Sequence, residues 1–102
     1  MKDHFSKQAE TYAKYRPTYP PELFDHILDH VTEKKLAWDC GTGNGQTAIV
    51  LSRYFEQVFA TDISLKQLEH ATPDQRIMYA REPAESSSLP DHSVDCITLS
   101  QS

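Results

Sequence analysis

Apolar and polar positions follow two different periods along the chain, one typical of helices and the other of buried strands. Between Phe5 and Arg16, apolar and amphipathic side chains recur at spacings of three and four, which predicts one stripe of a helix. This helix must end before Pro17, because the residue ahead of a proline avoids helical geometry. A second apolar stripe over residues 21–31 predicts another helix, which begins at or next to Pro21.

Four short apolar runs in the rest of the chain predict strands. They are "LAWDC" from Leu36, "QVFAT" from Gln57, "RIMYA" from Arg76 and "VDCITLS" from Val94. A helix is predicted over residues 46–55, and another from Ser64, where Gln67 completes a capping-box pattern, to Pro73. Strands that alternate with helices are typical of right-handed crossovers. We therefore predict an α/β domain with a doubly wound, mostly parallel sheet and helices on both faces.

The predicted sheet has about four strands, and only two or three polar residues follow the last of them. A parallel strand with a nearly continuous apolar run expects neighbours and covering helices on both faces. We therefore interpret residues 1–35 as an N-terminal helical segment and residues 36–102 as the front part of a larger domain. If the chain stops at Ser102, the last strand is expected to be an exposed edge that allows self-association.

Composition and charge narrow the classes of function. The 102-residue chain has a net charge of −5 and no run of lysine and arginine, which argues against nucleic-acid binding. No stretch approaches the roughly 20 apolar residues of a membrane span, and the polar N-terminus is unlike a signal peptide. Cys40 and Cys96 lack metal-type spacing and are expected to be reduced core thiols, which favours a cytoplasmic location. His26 and His30 lack the adjacent glutamate of two-histidine metal sites, so no metal site is predicted.

All three glycines of the chain, Gly41, Gly43 and Gly45, fall on alternate positions of "DCGTGNG". Glycine permits a positive φ in a tight turn and lets a ligand touch the backbone. Open α/β sheets bind ligands at loops that leave the carboxyl ends of their strands. The loop is therefore a candidate ligand site, with Asp39 just ahead of it. Asp62 ends the next strand, where its carboxylate either accepts two donors of a ligand at once or binds the turn before the next helix.

The spacing of the glycines separates two kinds of nucleotide-derived ligand. The dinucleotide fingerprint G-x-G-x-x-G/A requires a small residue where this chain has Gln46. The pattern D-x-G-x-G-x-G instead resembles the first motif of class I, Rossmann-like S-adenosylmethionine-dependent methyltransferases. The stretch "EPAESSSLPDHSVDCITLSQS" is similar to the part of that family that borders the adenine and leads into the fourth strand. "YAKYRPTYPPEL" is similar to the N-terminal segment of the trans-aconitate methyltransferase-like (type 11) group, which closes over the cofactor.

The resemblance implies that S-adenosylmethionine is the cofactor, and it assigns roles to residues around it. The glycines would meet the methionine portion, Asp62 would take the ribose, and Asp39 would either face the ammonium group or only hold the loop. Arg16 would bind the methionine carboxylate through its planar fork, the alternative being a solvated surface charge. Tyr12, Tyr15 and Tyr19 would supply aromatic walls, and Ala84 and Glu85 would lie near the adenine amino group.

The predicted function is methyl transfer to a small-molecule acceptor, such as a carboxylate-bearing metabolite. No catalytic residue is identified, because the methyl group is already activated and positioning provides most of the catalysis. Two alternatives stay open. One is an NAD(P)-dependent oxidoreductase, which Gln46 disfavours, and the other is a non-catalytic cofactor-binding fragment that lacks the acceptor half.

Overall fold

The computed structural model describes residues 12–14, 21–29, 31–83, 88–89 and 93–99. In chain order its elements are β1 (Tyr12–Lys14), α1 (Pro21–Leu28), β2 (Leu36–Cys40), α2 (Gln46–Leu51), β3 (Gln57–Asp62), α3 (Leu65–Glu69), β4 (Ile77–Arg81) and β5 (Cys96–Leu99). The strands β2 to β5 correspond to the four predicted apolar runs. The helices α1 to α3 begin where the sequence predicts them, but each ends three or four residues earlier than expected. Within the described ranges, no helix has the length and apolar character needed to cross a membrane.

The five strands within the described ranges lie in one parallel sheet with the order β1-β5-β2-β3-β4. The interior strands β2 and β3 are buried along nearly their whole length, as expected for parallel strands with neighbours on both sides. Because the strands run in the same direction, their carboxyl ends meet at one edge of the sheet. There Cys40 pairs with Thr61 on one side and with Leu99 on the other. The glycine-containing loop after β2 therefore lies at this edge.

The first strand corrects the prediction made for the N-terminus. The helical stripe expected up to Arg16 includes Tyr12–Lys14, but these residues pair in parallel with residues 97–99 of β5. The helix prediction was wrong for them, because the open side of β5 offers backbone hydrogen bonds whatever the side-chain period of the pairing segment. The rest of that predicted helix lies outside the described residues.

The strand β5 is not the exposed edge that the sequence suggested. It lies between β1 and β2, so a neighbouring strand pairs with it on each side. The expectation of an exposed last strand was therefore wrong, and the structure gives no support to self-association through it. The outer strands of the sheet are β1 and β4.

One face of the sheet is covered by helices. Leu28 of α1 and Leu51 of α2 are buried against the strands, together with Val31 and Phe55 from the connections that follow these helices. Because Leu28 and Val31 share this core, the segment before residue 36 packs on the same sheet, and the division at residue 35 stays a prediction. The other members of the cluster are Ala37, Ala48, Val58, Ala60, Ile77 and Cys96.

The opposite face carries a second buried cluster around Trp38. Its indole Nε1 donates a hydrogen bond to Thr61 Oγ1 at 2.9 Å, which satisfies the polar atom of this fully buried side chain. No helical residue among those described belongs to this cluster, so a helical layer on this face stays a prediction. The other buried members are Cys40, Phe59, Val94 and Ile97.

Both cysteines are buried thiols that form no disulfide, as the sequence predicts. Cys40 and Cys96 belong to different clusters and so lie on opposite faces of the sheet. Burial, with the charges of Asp95 and Asp39 nearby, raises the pKa of Cys96 to about 12. Its thiol therefore stays protonated at neutral pH and acts as a packing group.

Two buried threonines differ in how their hydroxyl groups are bonded. Thr47 of α2 and Thr98 of β5 are each 1% exposed. The Thr98 hydroxyl donates a hydrogen bond to Asp39 Oδ1 at 2.7 Å. The Thr47 hydroxyl, in contrast, is a buried side-chain oxygen without a hydrogen-bond partner in the part of the chain that is described.

Replacing each threonine with valine should therefore have opposite effects on stability. Thr47→Val removes an unpaired buried hydroxyl, while the shape and the helix propensity of the side chain change little. This substitution should therefore raise the free energy of unfolding by about 1 kcal/mol. Thr98→Val removes a donor from a buried carboxylate and should lower the free energy of unfolding by about 2 kcal/mol. Urea titrations of the two variants measure this difference. Equal destabilisation by both would show that the Thr47 hydroxyl is bonded in solution.

Candidate functional site

The glycine loop, residues 41–45, connects β2 to α2 and is held at its start by the neighbouring strand. The amide groups of Gly41 and Thr42 both donate to the carbonyl oxygen of Thr61, at 2.9 and 2.8 Å. Because Thr61 lies near the end of β3, these bonds set the beginning of the loop over the carboxyl edge of the sheet. The loop then closes on itself, with the Gly45 amide donating to the Thr42 carbonyl at 2.9 Å.

All three glycines adopt the left-handed conformation, with φ of 74° at Gly41, 58° at Gly43 and 88° at Gly45. An L residue at such a position is strained by about 1–2 kcal/mol, so the alternating glycines follow from the backbone path. The surroundings of the last two glycines differ. Among the residues that the structure describes, a Cβ at Gly43 would meet nothing within 4 Å, whereas a Cβ at Gly45 would collide with the hydroxyl end of Tyr79. The space beside Gly43 is therefore open, and the space beside Gly45 is filled.

Asp62 links the glycine loop to the next turn. Its carboxylate accepts a hydrogen bond from the Gly43 amide at Oδ2 and another from the Ser64 amide at Oδ1, both at 2.8 Å. The side chain of Ser64 then caps α3 by accepting from the Gln67 amide, as the capping-box pattern predicts. Asp62 is only 5% exposed. Each of its oxygens has a second lone pair, so two further donors from a ligand can still be accepted.

Asp39 lies behind the loop. Its side chain is 0% exposed. The hydroxyl groups of Thr42 and Thr98 donate to its two carboxylate oxygens, each at 2.7 Å. The carboxylate thus ties the loop to β5 from inside the protein, and of the two predicted roles this geometry favours holding the loop. A contact with a ligand's ammonium group stays a prediction.

The remaining predicted site residues are only partly within the described structure. The backbone of Tyr12 lies in β1, and its side chain is outside the described part of the molecule. The carboxyl end of β1 lies at the same edge of the sheet as the loop, because Lys14 pairs with Leu99. Five predicted residues lie outside the described ranges: Tyr15, Arg16, Tyr19, Ala84 and Glu85.

Three residues around the loop were not predicted from the sequence. Thr42 and Thr98 bind the carboxylate of Asp39, and Tyr79 fills the space beside Gly45. A polar residue in the otherwise apolar strand of Thr98 is a weak signal for its role. No sequence signal points to Tyr79, because its role depends on how β4 lies beside the loop. Within the described ranges, no three histidine, cysteine or acidic side chains come together to hold a metal ion.

Comparisons with known proteins decide the family. Residues 38–102, which include the end of β2, the glycine loop and the strands β3 to β5, match the family of methyltransferase domains. The chain belongs to this family. The predicted resemblance to class I methyltransferases is thereby confirmed, while the narrower trans-aconitate methyltransferase-like group stays a prediction.

Individual relatives agree with this assignment. A Dictyostelium discoideum protein named as a methyltransferase is 39% identical over 100 residues, which is 97% of this chain and 38% of that protein. A solved structure described as a type II methyltransferase from Anaeromyxobacter dehalogenans is 39% identical with a TM-score of 0.71, over 82% of this chain and 36% of that chain. The YcgJ protein of Bacillus subtilis, with a TM-score of 0.65 at 23% identity, covers 76% of this chain and 37% of its own, and shows likeness of fold alone.

The structural likeness confirms a Rossmann-like fold for this methyltransferase domain. The chain spans less than two fifths of the length of the relatives described above. The shared part is the one that carries the glycine loop, Asp39 and Asp62.

Alanine substitutions at two glycines should separate backbone strain from steric collision in the methyltransferase domain. Gly43→Ala adds a methyl group to open space and should lower the free energy of unfolding by about 1–2 kcal/mol, the strain of a left-handed alanine. Gly45→Ala adds the same strain and a collision with Tyr79. It should therefore lower the free energy of unfolding by at least about 1 kcal/mol more than Gly43→Ala does. Denaturant unfolding of the two variants tests this order. A larger loss at Gly43 than at Gly45 would contradict the described packing.

Proposed function

We propose that this chain binds S-adenosylmethionine and that the protein transfers the methyl group of this cofactor to a small-molecule acceptor, such as a carboxylate-bearing metabolite. One observation carries the proposal: the open space beside Gly43 adjoins the carboxylate of Asp62, which is bonded to the Gly43 amide. The family of methyltransferase domains supports the reaction type.

The residues at this position fit the cofactor. A ribose offers two neighbouring hydroxyl donors, and Asp62 has one remaining lone pair on each carboxylate oxygen to accept them. Glycine at position 43 leaves room for the ligand to approach the backbone, which any Cβ would narrow. The hydrogen bonds to Gly43 and Ser64 fix the carboxylate before a ligand arrives, so little ordering is needed on binding.

The other contacts follow the sequence-based assignment and are part of the proposal. The methionine portion would lie along the glycine loop, with its carboxylate on Arg16, while Tyr12 and the other N-terminal tyrosines cover it. Arg16 follows β1 by two residues, and β1 ends at the same edge of the sheet as the loop, which supports this placement. The adenine would lie near Ala84 and Glu85.

When bound, S-adenosylmethionine supplies a methyl group that its sulfonium already activates. The work left for the protein is to hold the ligand and acceptor in line and to exclude water. The proposal assigns no general base, because a carboxylate acceptor is deprotonated at neutral pH and needs none. Asp62 and the glycine loop therefore act by binding and orientation.

The main alternative, an NAD(P)-dependent oxidoreductase, is disfavoured by the family match and by Gln46 at the first position of α2. We propose a small-molecule acceptor as the partner and no nucleic acid, since the net charge of −5 does not suit nucleic-acid binding. The two buried cysteine thiols, which form no disulfide, suit a reducing compartment, and this supports a cytoplasmic location.

Calorimetric titration with S-adenosylhomocysteine tests the proposal. The protein should bind this ligand and should not bind NAD under the same conditions. Asp62→Asn should weaken binding by about tenfold to a hundredfold, because an amide oxygen cannot replace a carboxylate that accepts several hydrogen bonds. Asp29 is an exposed residue that follows α1, so Asp29→Asn serves as the matched control and should leave the affinity for S-adenosylhomocysteine unchanged.

Absence of binding at millimolar S-adenosylhomocysteine, or tighter binding of NAD, would overturn the proposal. Methyl transfer itself is measured with labelled S-adenosylmethionine and a panel of small carboxylic acids. Binding without transfer to any acceptor would favour the non-catalytic cofactor-binding alternative.

A further inference from the structure

We infer that Tyr79 is a positioning residue for the cofactor site. From its place on β4, it fixes the Asn44–Gly45 end of the glycine loop. Neither the motif in the loop nor the family match assigns this residue a role. The inference about the loop stands on geometry alone, and its consequence for ligand binding rests on the proposed function.

The first support is the packing of the Tyr79 ring against Gly45. Tyr79 lies on β4 at the register position beside Ala60 of β3, and its ring contributes to the core under the helices. The hydroxyl end of the ring occupies the space that a Cβ at position 45 would need. Gly45 therefore cannot shift toward β4, and the entry of the chain into α2 is set by this contact.

The second support is a chain of hydrogen bonds that leads from Tyr79 to the loop. The Tyr79 hydroxyl donates to the carbonyl oxygen of Thr72 at 2.6 Å. The amide of the same Thr72 donates to the carbonyl oxygen of Asn44 at 3.3 Å. The segment between α3 and β4 is thus held on one side by Tyr79 and on the other by the loop.

The third support is that the other anchors of the loop act elsewhere. Thr61 holds Gly41 and Thr42, and Asp62 holds Gly43. Among the interactions described, the Asn44–Gly45 end has two local bonds, from the Gly45 amide to the Thr42 carbonyl and from the Ile49 amide of α2 to the Gly45 carbonyl. Its contacts with the neighbouring β3–β4 part of the sheet are those with Thr72 and Tyr79. Loss of the Tyr79 hydroxyl should therefore loosen this end and leave the beginning of the loop in place.

The protonation of Tyr79 suits this role. Burial, with the charges of Asp39 and Asp74 nearby, raises the pKa of its hydroxyl above the ordinary value. The group therefore remains a hydrogen-bond donor throughout the neutral and mildly alkaline range. A change of pH between 6 and about 9 should not release the loop through this residue.

The site has two parts, one at Gly43 and Asp62 and the other at the Asn44–Gly45 end of the loop, and Tyr79 contacts only the second part among the contacts described. Under the proposed function, the nucleoside lies on Asp62, next to Gly43, and the amino-acid portion extends along the rest of the loop. Tyr79 should therefore affect binding of the complete ligand more than binding of the nucleoside alone. A purely structural contribution to stability would weaken both in the same proportion.

The first experiment needs no ligand. Amide hydrogen exchange is measured by NMR on the full chain and on Tyr79→Phe, a change that removes only the hydroxyl. The amides of Thr72 and Gly45 should exchange at least about fivefold faster in the variant. The Val58 amide, which bonds to Arg76 between β3 and β4, should keep its rate and serves as the internal reference.

The second experiment compares two ligands by calorimetric titration. Tyr79→Phe should lower the affinity for S-adenosylhomocysteine by about threefold to tenfold, in line with the loss of one hydrogen bond. The same substitution should change the affinity for adenosine by less than about twofold. Tyr54→Phe is the matched control, since Tyr54 is a 44% exposed tyrosine after α2 and should alter neither affinity.

The outcomes separate the two proposals. Unchanged exchange at Thr72 and Gly45, or equal weakening of both ligands, would overturn the role of Tyr79. Failure of the unmodified protein to bind S-adenosylhomocysteine would overturn the proposed function, while the exchange rates would still decide whether Tyr79 holds the loop.

Discussion

A left-handed backbone at three alternate residues is the constraint on which the site depends. Only glycine adopts this conformation without strain, and a path of this kind stays in place only where its amide groups have fixed acceptors. Two carboxylates bracket the loop. Asp39 holds it from inside through Thr42, and Asp62 holds it at the edge through the Gly43 amide. The loop is therefore built before a ligand arrives, and the open space beside Gly43 is a property of the fold.

The parallel sheet explains why so few residues are needed to hold the glycine loop in place. Because every strand ends at the same edge, β3, β4 and β5 all contribute groups that hold the loop after β2, either directly or, for β5, through Asp39. Asp62 comes from β3, Tyr79 from β4 and Thr98 from β5. A change in the register of any of these strands would move an anchor of the loop, so the packing of the sheet and the geometry of the site are coupled.

The sequence alone predicted features that depend on local pattern. The apolar runs located β2 to β5, the glycine spacing located the loop, and Ser64 marked the start of α3. Features that depend on a partner strand were not predicted. Tyr12–Lys14 has a helical side-chain period but joins the sheet because β5 has an open side, and Tyr79 acts through a contact with a residue far away in the chain. The two predicted roles of Asp62 are compatible, because its backbone bonds leave further acceptor capacity.

A crystal structure of the protein with S-adenosylhomocysteine tests the central claim most directly. We predict that the ribose hydroxyls lie within hydrogen-bonding distance of Asp62, that the ligand fills the open space beside Gly43, and that the loop keeps its left-handed glycines and its Gly43–Asp62 bond. A ligand bound away from Asp62, or a loop that rebuilds itself to admit the ligand, would contradict the account.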